Sequence, residues 1–352
     1  MTDHRTATTA SASPLPFAGT VSRRRLLQAA GAASAAAPFA ILGGRVWAQS
    51  AATATPRKLK LAWSQTAVCQ SPISVALKRD FFGKYGLEVE HIQYSGPTDQ
   101  LLEAIATGHA DGGIGMALRW LKPLEQGFDV RLAVGTHGGC MRLLAPASSG
   151  ITKITDLRGK AVAVTDQASP VKNFFSIRLA KEGVDPDQVD WRQYPGDLFP
   201  EVVRKGEVQA VAIEDPNAWF LRERDGLTEI ATNLDGDYAT KTCCVLGIRG
   251  SLLRDEPEVA ASLARAFIDA QHWSAANPGA TAQIFAPFVP GNVRPEDVEA
   301  MLRNHTHSHA STGAHLRGEL AAFTDDLKLI NVIRPGTDAT EFANVIAPDV
   351  LV

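Results

Sequence analysis

The sequence has few cysteines and little net charge, and each of these shortages excludes some classes of protein. Its four cysteines, at positions 69, 140, 243 and 244, are too few and too scattered for a disulfide framework, and they match no zinc-finger spacing. A formal net charge of −3 over 352 residues gives no electrostatic reason to expect a nucleic acid or an anionic membrane as partner. After residue 50, no apolar run reaches membrane-spanning length. These shortages favour a small solute as the partner.

Motifs of common enzyme classes are missing as well. The sequence contains no His-Glu-x-x-His, no nucleophile elbow and no phosphate-binding glycine loop. We therefore expect a protein that is not an enzyme and that needs no cofactor. The chain does have an ordinary globular composition, 45% hydrophobic and 21% charged, which is enough for two lobes with their own cores.

The first 48 residues have the pattern of a twin-arginine export signal. Arg23 and Arg24 precede two leucines, and an alanine-rich stretch then runs through Ala40. Small residues at Val46 and Ala48 predict cleavage after Ala48. We therefore expect export by the twin-arginine machinery and a mature protein in the periplasm.

From Lys58 onward, short apolar runs alternate with amphipathic stretches, which is the pattern of an α/β protein. Strands are predicted at 59–63 and 87–92, with a helix that opens at Pro72 between them. Further helices are predicted at 99–107, around Arg119 and at 257–277, and residues 111–115 lead into the helix around Arg119. We expect the chain to cross between two lobes near 141–147 and to return near 240–247.

Four local patterns carry a resemblance to a known family. They are FFGKYGLEVE at 81–90, GHADGG at 108–113, DLRGKAVAV at 156–164 and GEVQAV at 206–211. In this order, over residues 57 to 335, they resemble the nitrate/sulfonate/taurine-type substrate-binding proteins of ABC importers. They are also similar to the binding proteins of thiamine-pyrimidine precursors.

The resemblance implies a two-lobed α/β structure, the type II periplasmic-binding-protein fold, with a hinge between the lobes. It implies that residues 57–141 and 245–352 form the first lobe and residues 145–240 the second. A small-molecule ligand would bind between the lobes and pass to an ABC permease and its ATPase. We expect a monomer that binds no nucleic acid.

The loops that follow the strands would form the cleft, because ligands of such folds bind beyond the carboxyl ends of strands. For each Ser, Thr or Gly there, a turn or helix cap is an alternative role. Adjacent acids at 214 and 215 disfavour a small bare anion, so an amine-bearing, heterocyclic or metal-containing ligand is as credible as nitrate or a sulfonate. The predicted ligand-binding residues are Ser64, Gln65, Cys69, Thr98, Met116, Arg119, His137, Gly138, Cys140, Thr165, Ser169, Glu214, Asp215 and Cys243.

Three of the four cysteine positions fall on separate predicted cleft loops, since Cys243 and Cys244 are adjacent, and two interpretations stay open. In the first interpretation they are small buried hydrophobic residues, or two of them form a disulfide outside the cytoplasm. Alternatively they bind Cu(I), Zn or a metal complex, since thiolates prefer soft ions. The candidate metal ligands are Cys69, Cys140, Cys243, Cys244 and His137.

Two further patterns leave alternatives. Cys243-Cys244 weakly resembles the cysteine-rich motif of the thiamine-pyrimidine synthases, which share the fold of the binding proteins. The longer cysteine run of that motif is missing. His305, His307 and His309 could hold a metal, but a polar stretch leading into a helix is the simpler explanation and the one we favour.

Overall fold

The computed structural model describes residues 55–64, 66–94, 98–137, 139–305 and 309–352. Within these ranges, no helix combines the length and the apolar character that a bilayer crossing needs. Several predictions concern parts of the chain outside the described residues: the export signal at 1–48, Gln65, Gly138, His307, and the side chains of Thr98 and His137.

Strands and helices alternate over most of the chain. The strands are β1 (Arg57–Trp63), β2 (Leu87–Gln93), β3 (Gly112–Met116), β4 (Val130–His137), β5 (Met141–Ala145), β6 (Ala161–Val164), β7 (Asp190–Gln193), β8 (Ala210–Glu214), β9 (Thr228–Thr232) and β10 (Cys244–Arg249). The helices are α1 (Ser71–Lys78), α2 (Phe81–Lys84), α3 (Thr98–Ala106), α4 (Ala117–Glu125), α5 (Pro170–Lys181), α6 (Phe199–Arg204), α7 (Asn217–Glu223), α8 (Gly250–Asp255), α9 (Pro257–Ala276), α10 (Pro278–Phe285), α11 (Pro295–Arg303), α12 (Gly313–Leu329) and α13 (Ala339–Ile346).

One sheet is built from strands that precede and follow the middle segment 141–232, and we call the part of the fold around it the first lobe. Its strand order is β2-β1-β3-β10-β4. Strands β1, β2 and β3 run parallel, whereas β10 is antiparallel to both of its neighbours. The start of β10 therefore lies at the carboxyl ends of β3 and β4, where Cys244 is paired with Met116 and with His137.

The other sheet uses only the middle of the chain, and we call the part of the fold around it the second lobe. Its strand order is β7-β6-β8-β5-β9. Strands β6, β7 and β8 are parallel, and β5 is antiparallel to β8 and β9. Because β5 starts where β8 ends, Met141 is paired with Glu214. The predicted α/β fold with two sheet-based lobes is confirmed, while the predicted limits of the lobes stay a prediction.

Strand β3 is missing from the sequence prediction because glycine is depleted in strands. Three of its five residues are glycines, and close packing requires two of them. A Cβ at Gly113 would lie 2.4 Å from the carbonyl oxygen of Ala62, and one at Gly115 would lie 2.3 Å from the ring of Trp120. The predicted helices agree more closely with the structure. For example, α9 starts at the expected proline and ends one residue before the expected end.

The main hydrophobic core runs through both lobes. It includes Trp120 and Leu132 from the first lobe and Leu143 and Phe175 from the second, all buried. Helix α12 packs against α4 on one side and α5 on the other. Full burial of each large apolar side chain contributes about 1.5 to 3 kcal/mol. The two lobes are thus packed against each other through α12 and α5.

Candidate functional site

Four cysteines meet where the two lobes face each other. Cys69 lies in a short 3-10 helix after β1, Cys140 directly precedes β5, Cys243 directly precedes β10, and Cys244 is the first residue of β10. The Sγ atoms of Cys140 and Cys243 are 4.0 Å apart, and those of Cys69 and Cys244 are 3.9 Å apart. All four are buried as reduced thiols. The structure thus brings together four of the residues predicted for the cleft.

The surroundings of these thiols favour the protonated form. Hydrogen bonding with Cys243 and Cys69, together with burial, raises the pKa of the Cys140 thiol well above its ordinary value, and the same causes raise the pKa of Cys244. Metals bind the thiolate, so a raised pKa opposes metal binding. Among the described residues, no group of three or more His, Cys, Asp or Glu side chains is arranged to hold a metal ion. The structure therefore does not favour the metal-site hypothesis.

Glu214 places a carboxyl group against this cysteine cluster. It is the last residue of β8 and is half-buried. Burial is the main reason that the pKa of its carboxyl rises to about 7, and Cys69, Cys243 and Asp166 act in the same direction. Near neutral pH this group can donate a hydrogen bond when protonated or act as an anion when ionised.

The side chain of Asp215 has partners other than the thiols. Its carboxylate is hydrogen-bonded to His305 Nε2 at 2.8 Å and lies 3.4 Å from Arg142 Nη2. Burial alone would raise the pKa of Asp215, but the hydrogen bond with His305 and the charge of Arg142 lower it below its ordinary value. All three side chains are buried. The two adjacent acids therefore differ, with Glu214 at the cysteine cluster and Asp215 in a charged cluster that joins β5, β8 and the segment after α11.

Arg119 links the two lobes through its guanidinium group. Its Nη1 atom lies 2.7 Å from Asp166 of the second lobe, and its Nη2 atom lies 3.0 Å from Asp99 of the first lobe. The arginine side chain is only 11% exposed. Its positive charge is therefore neutralised by two carboxylates in this arrangement of the lobes.

The remaining predicted residues have varied positions. Met116 is buried at the end of β3, and Thr165 is half-buried after β6. Ser169 caps α5, because its Oγ accepts hydrogen bonds from the main-chain N–H groups of the next two non-proline residues. The Ser64 hydroxyl pairs with that of Thr66 at 3.1 Å. Ser169 thus shows the cap role that was the alternative for each hydroxyl residue.

Sequence reasoning missed two sets of buried polar contacts. Arg142 binds Asp215 within the second lobe, although an arginine inside the apolar run at 141–145 is a signal that a buried acid must be near. A contact between the lobes joins Lys181 of α5 to Asp326 of α12, and Tyr238 donates a hydrogen bond to the same carboxylate at 2.8 Å. No local pattern marks such pairs, since their partners are distant in sequence.

The histidine cluster is divided among different acids. His305 is bound to Asp215, whereas His309 Nε2 lies 2.9 Å from Glu319. A carboxylate on each imidazole explains both histidines without a metal.

An open groove lies beside the Arg119 pair. It has a volume of about 400 Å³ and is lined by α4, the start of α5, Trp191 and the chain after α12. Lys172 projects from its second-lobe wall, where burial lowers the pKa of the ammonium group. The groove gives solvent a path to the interlobe contact at Arg119.

Two α/β lobes joined by two crossings, with polar and thiol groups at their facing edges, define the fold of the periplasmic binding proteins. The periplasmic aliphatic sulphonate binding protein of Escherichia coli has 14% identity and a TM-score of 0.69, covering 82% of this chain and 92% of that one. The alkanesulfonate-binding protein of Xanthomonas axonopodis pv. citri, bound to MOPS, has 18% identity and a TM-score of 0.68, with 82% and 98% covered. The periplasmic nitrate-binding protein of Synechocystis PCC 6803 has 15% identity and a TM-score of 0.66, with 84% and 87% covered. At these identities the likeness establishes the fold.

The sequence also defines the family. No curated protein matches the chain. Residues 70–281, more than half of the chain, match the family model described as NMT1/THI5 like. The chain therefore belongs to the NMT1/THI5-like family, and the resemblance noted in its sequence is confirmed.

Proposed function

We propose that the chain is an exported solute-binding protein, which captures a small ligand between its lobes and delivers it to the permease and ATPase of an ABC importer. The observation that carries this function is the meeting of strand ends from both lobes. Cys69 follows β1, Met116 ends β3, Asp166 follows β6 and Glu214 ends β8, all at the facing edges. Ligands of open α/β sheets bind beyond such carboxyl ends, and the two crossings supply the hinge.

The names of the similar structures support a transport role without catalysis. They include binding proteins for sulfonates and for nitrate. A protein of this kind binds and releases its ligand unchanged. We expect a bound ligand to be recovered intact from the purified protein by mass spectrometry, and conversion of the ligand during incubation would instead indicate an enzyme.

The charges at the interlobe site favour a ligand that differs from a simple oxyanion. Arg119 is already paired with two carboxylates, and Glu214 adds a carboxyl that is half-ionised near pH 7. A carboxyl group repels a bare anion but binds an ammonium or N–H group. We therefore propose a ligand with an amine or an N–H-bearing heterocycle, with the cysteine cluster providing an apolar wall.

A thermal-shift screen tests the ligand class. Nitrate, alkanesulfonates, pyrimidines and small amines would be added separately to the purified protein. A ligand present at 100 times its Kd raises stability by about 2.7 kcal/mol, which is readily detected. We expect amines or pyrimidines to stabilise the protein, and we expect Glu214→Gln to weaken that effect. Stabilisation by a sulfonate or nitrate that is unchanged in Glu214→Gln would refute the proposed ligand class.

Export is tested separately from binding. Replacing both Arg23 and Arg24 by lysine removes the paired arginines and preserves the charge. We expect the wild-type chain in the periplasmic fraction and the double variant in the cytoplasm. Equal distribution of the two proteins would refute twin-arginine export. Light scattering of the exported protein should give the mass of a monomer.

A further inference from the structure

Cys140 and Cys243 occupy the two segments through which the chain passes between the lobes. Cys140 lies just before β5 of the second lobe, and Cys243 lies just before β10 of the first lobe. Their main chains are fixed to different lobes. The N–H of Asp215 in the second lobe donates to the carbonyl of Cys140 at 3.1 Å, and the N–H of Ala117 in the first lobe donates to the carbonyl of Cys243 at 2.9 Å.

The side chains of this pair lie within reach of one another. Their Sγ atoms are 4.0 Å apart, and both residues are buried, at 0% and 5% exposure. A disulfide needs an S–S distance of about 2.05 Å, so each sulfur must move by roughly 1 Å. The other thiol pair, Cys69 and Cys244, belongs to the first lobe at both ends, so a bond there would not join the lobes.

We propose that Cys140 and Cys243 are a redox-active pair whose disulfide joins the two lobes at the hinge. The oxidant would be an external disulfide, such as oxidised glutathione or a protein with an oxidised dithiol. One cysteine thiolate attacks a sulfur of the oxidant and forms a mixed disulfide with release of one thiol. The second cysteine thiolate then displaces the second thiol. The protein loses two electrons and two protons, and the oxidant becomes two thiols.

The position of the pair makes the reaction depend on the opening of the cleft. In the closed arrangement both thiols are covered, so an external disulfide cannot reach them. Exchange therefore requires separation of the lobes, and a bound ligand that holds the lobes together should protect the thiols. Once formed, the disulfide would limit further opening. Its relevance to transport rests on the proposed export into an oxidising compartment, whereas its formation can be tested with the purified chain alone.

The first test is a thiol count with peptide mapping. The full chain would be equilibrated with reduced and oxidised glutathione, alkylated after denaturation and analysed by mass spectrometry. We expect the number of free thiols to fall from four to two in the most readily oxidised form, with Cys140 and Cys243 in one cross-linked species. Retention of four thiols, or a first disulfide that contains Cys69 or Cys244, would overturn the proposal.

Paired variants assign the bond. The double variant Cys69→Ala/Cys244→Ala keeps only the proposed pair and should lose both remaining thiols on oxidation. Cys140→Ala and Cys243→Ala, made singly, should each abolish the lobe-joining cross-link. Circular dichroism checks that each variant is folded, and alanine is chosen because these positions are buried. A Cys140–Cys243 cross-link absent from a folded Cys69→Ala/Cys244→Ala variant would also refute the assignment.

The effect on the hinge is measured by amide hydrogen exchange. The N–H groups of Ala117 and Asp215 report on the main-chain bonds next to the two cysteines. We expect slower exchange at both in the oxidised protein than in the reduced protein, and no such change in Cys140→Ala. Equal exchange in the two redox states would show that the disulfide does not restrain the lobes. A protein that forms the disulfide but binds no solute would contradict the proposed transport function and leave the thiol chemistry intact.

Discussion

The buried charge cluster around Asp215 makes the strongest prediction about stability. In Asp215→Ala, Arg142 and His305 lose a shared carboxylate while their side chains remain 4% and 0% exposed. Removing one partner of a buried ion pair costs about 3 to 5 kcal/mol, because a buried charge is left without compensation. Arg142 still keeps Glu229 at 3.2 Å and Thr232 at 3.0 Å, so we expect the low end of this range.

Urea unfolding followed by circular dichroism at neutral pH measures this loss. A loss of about 3 kcal/mol should also lower the Tm by roughly 6 °C, since about 2 °C per kcal/mol is typical of larger domains. The matched control is Asp190→Ala, because Asp190 pairs with Arg192 at 2.7 Å but is 54% exposed. Exposed pairs contribute less than about 1 kcal/mol. If Asp215→Ala is no more destabilising than Asp190→Ala, the reasoning from burial is wrong.

Acid should reduce the contribution of Asp215 to the free energy of unfolding. Its pKa is lowered in the folded protein, so its contribution is complete above the unfolded pKa of about 3.9. The contribution is lost as pH falls through the lower folded pKa. The stability difference between wild type and Asp215→Ala should therefore be constant near neutral pH and shrink below about pH 4. A difference that grows in acid would contradict the assigned pKa direction.

Three further predictions concern other parts of the fold. The pKa of Glu214 is raised to about 7, so its contribution to stability is complete below the unfolded pKa and is lost as pH rises through 7. The Tm of the wild type should therefore fall over this pH range, and Glu214→Gln should remove that fall. Identical pH profiles of Tm for the two proteins would refute the raised pKa. Arg119→Met should favour separated lobes and increase the radius of gyration in X-ray scattering, whereas Arg192→Met, whose pair lies within one lobe, should not. Gly113→Ala should cost about 1 to 3 kcal/mol in urea unfolding because its Cβ meets backbone. Gly318→Ala should instead stabilise α12 by about 0.5 to 1 kcal/mol, since a Cβ there meets nothing within 4 Å, and equal effects of the two changes would refute the packing argument.

Local signals were sufficient for most helices and for the fold class. Pro257 and the apolar periodicity after it identify α9, and Pro72 identifies α1. These features act over a few residues, so they can be recognised in the sequence. Strand β3 could not be recognised in this way, because its glycines are explained only by Ala62 and Trp120, which pack on it from elsewhere.

The candidate site was predictable as a set of loops but not as a set of contacts. The sequence places the four cysteines on the loop after the first strand and at the two crossings between the lobes, and the structure brings their sulfur atoms together in pairs. The sequence cannot show that the carboxyl groups of Glu214 and Asp215 have different surroundings. The difference arises because Asp215 is hydrogen-bonded to His305, which lies 90 residues further along the chain. The same holds for Arg119, whose two acidic partners decide whether its charge is available to a ligand.

The position of β10 between β3 and β4 in the first-lobe sheet has a consequence for synthesis of the chain. Every strand of the second-lobe sheet lies between Met141 and Thr232, so that sheet can be complete before β10 has been made. Within the described part of the chain, β4 has β10 as its one neighbour in the sheet, so it must wait for roughly 100 further residues, or about 5 to 20 seconds on a ribosome. During that interval the first lobe has open strand edges, so a chaperone that covers such edges would act on the lobe that begins first and finishes last.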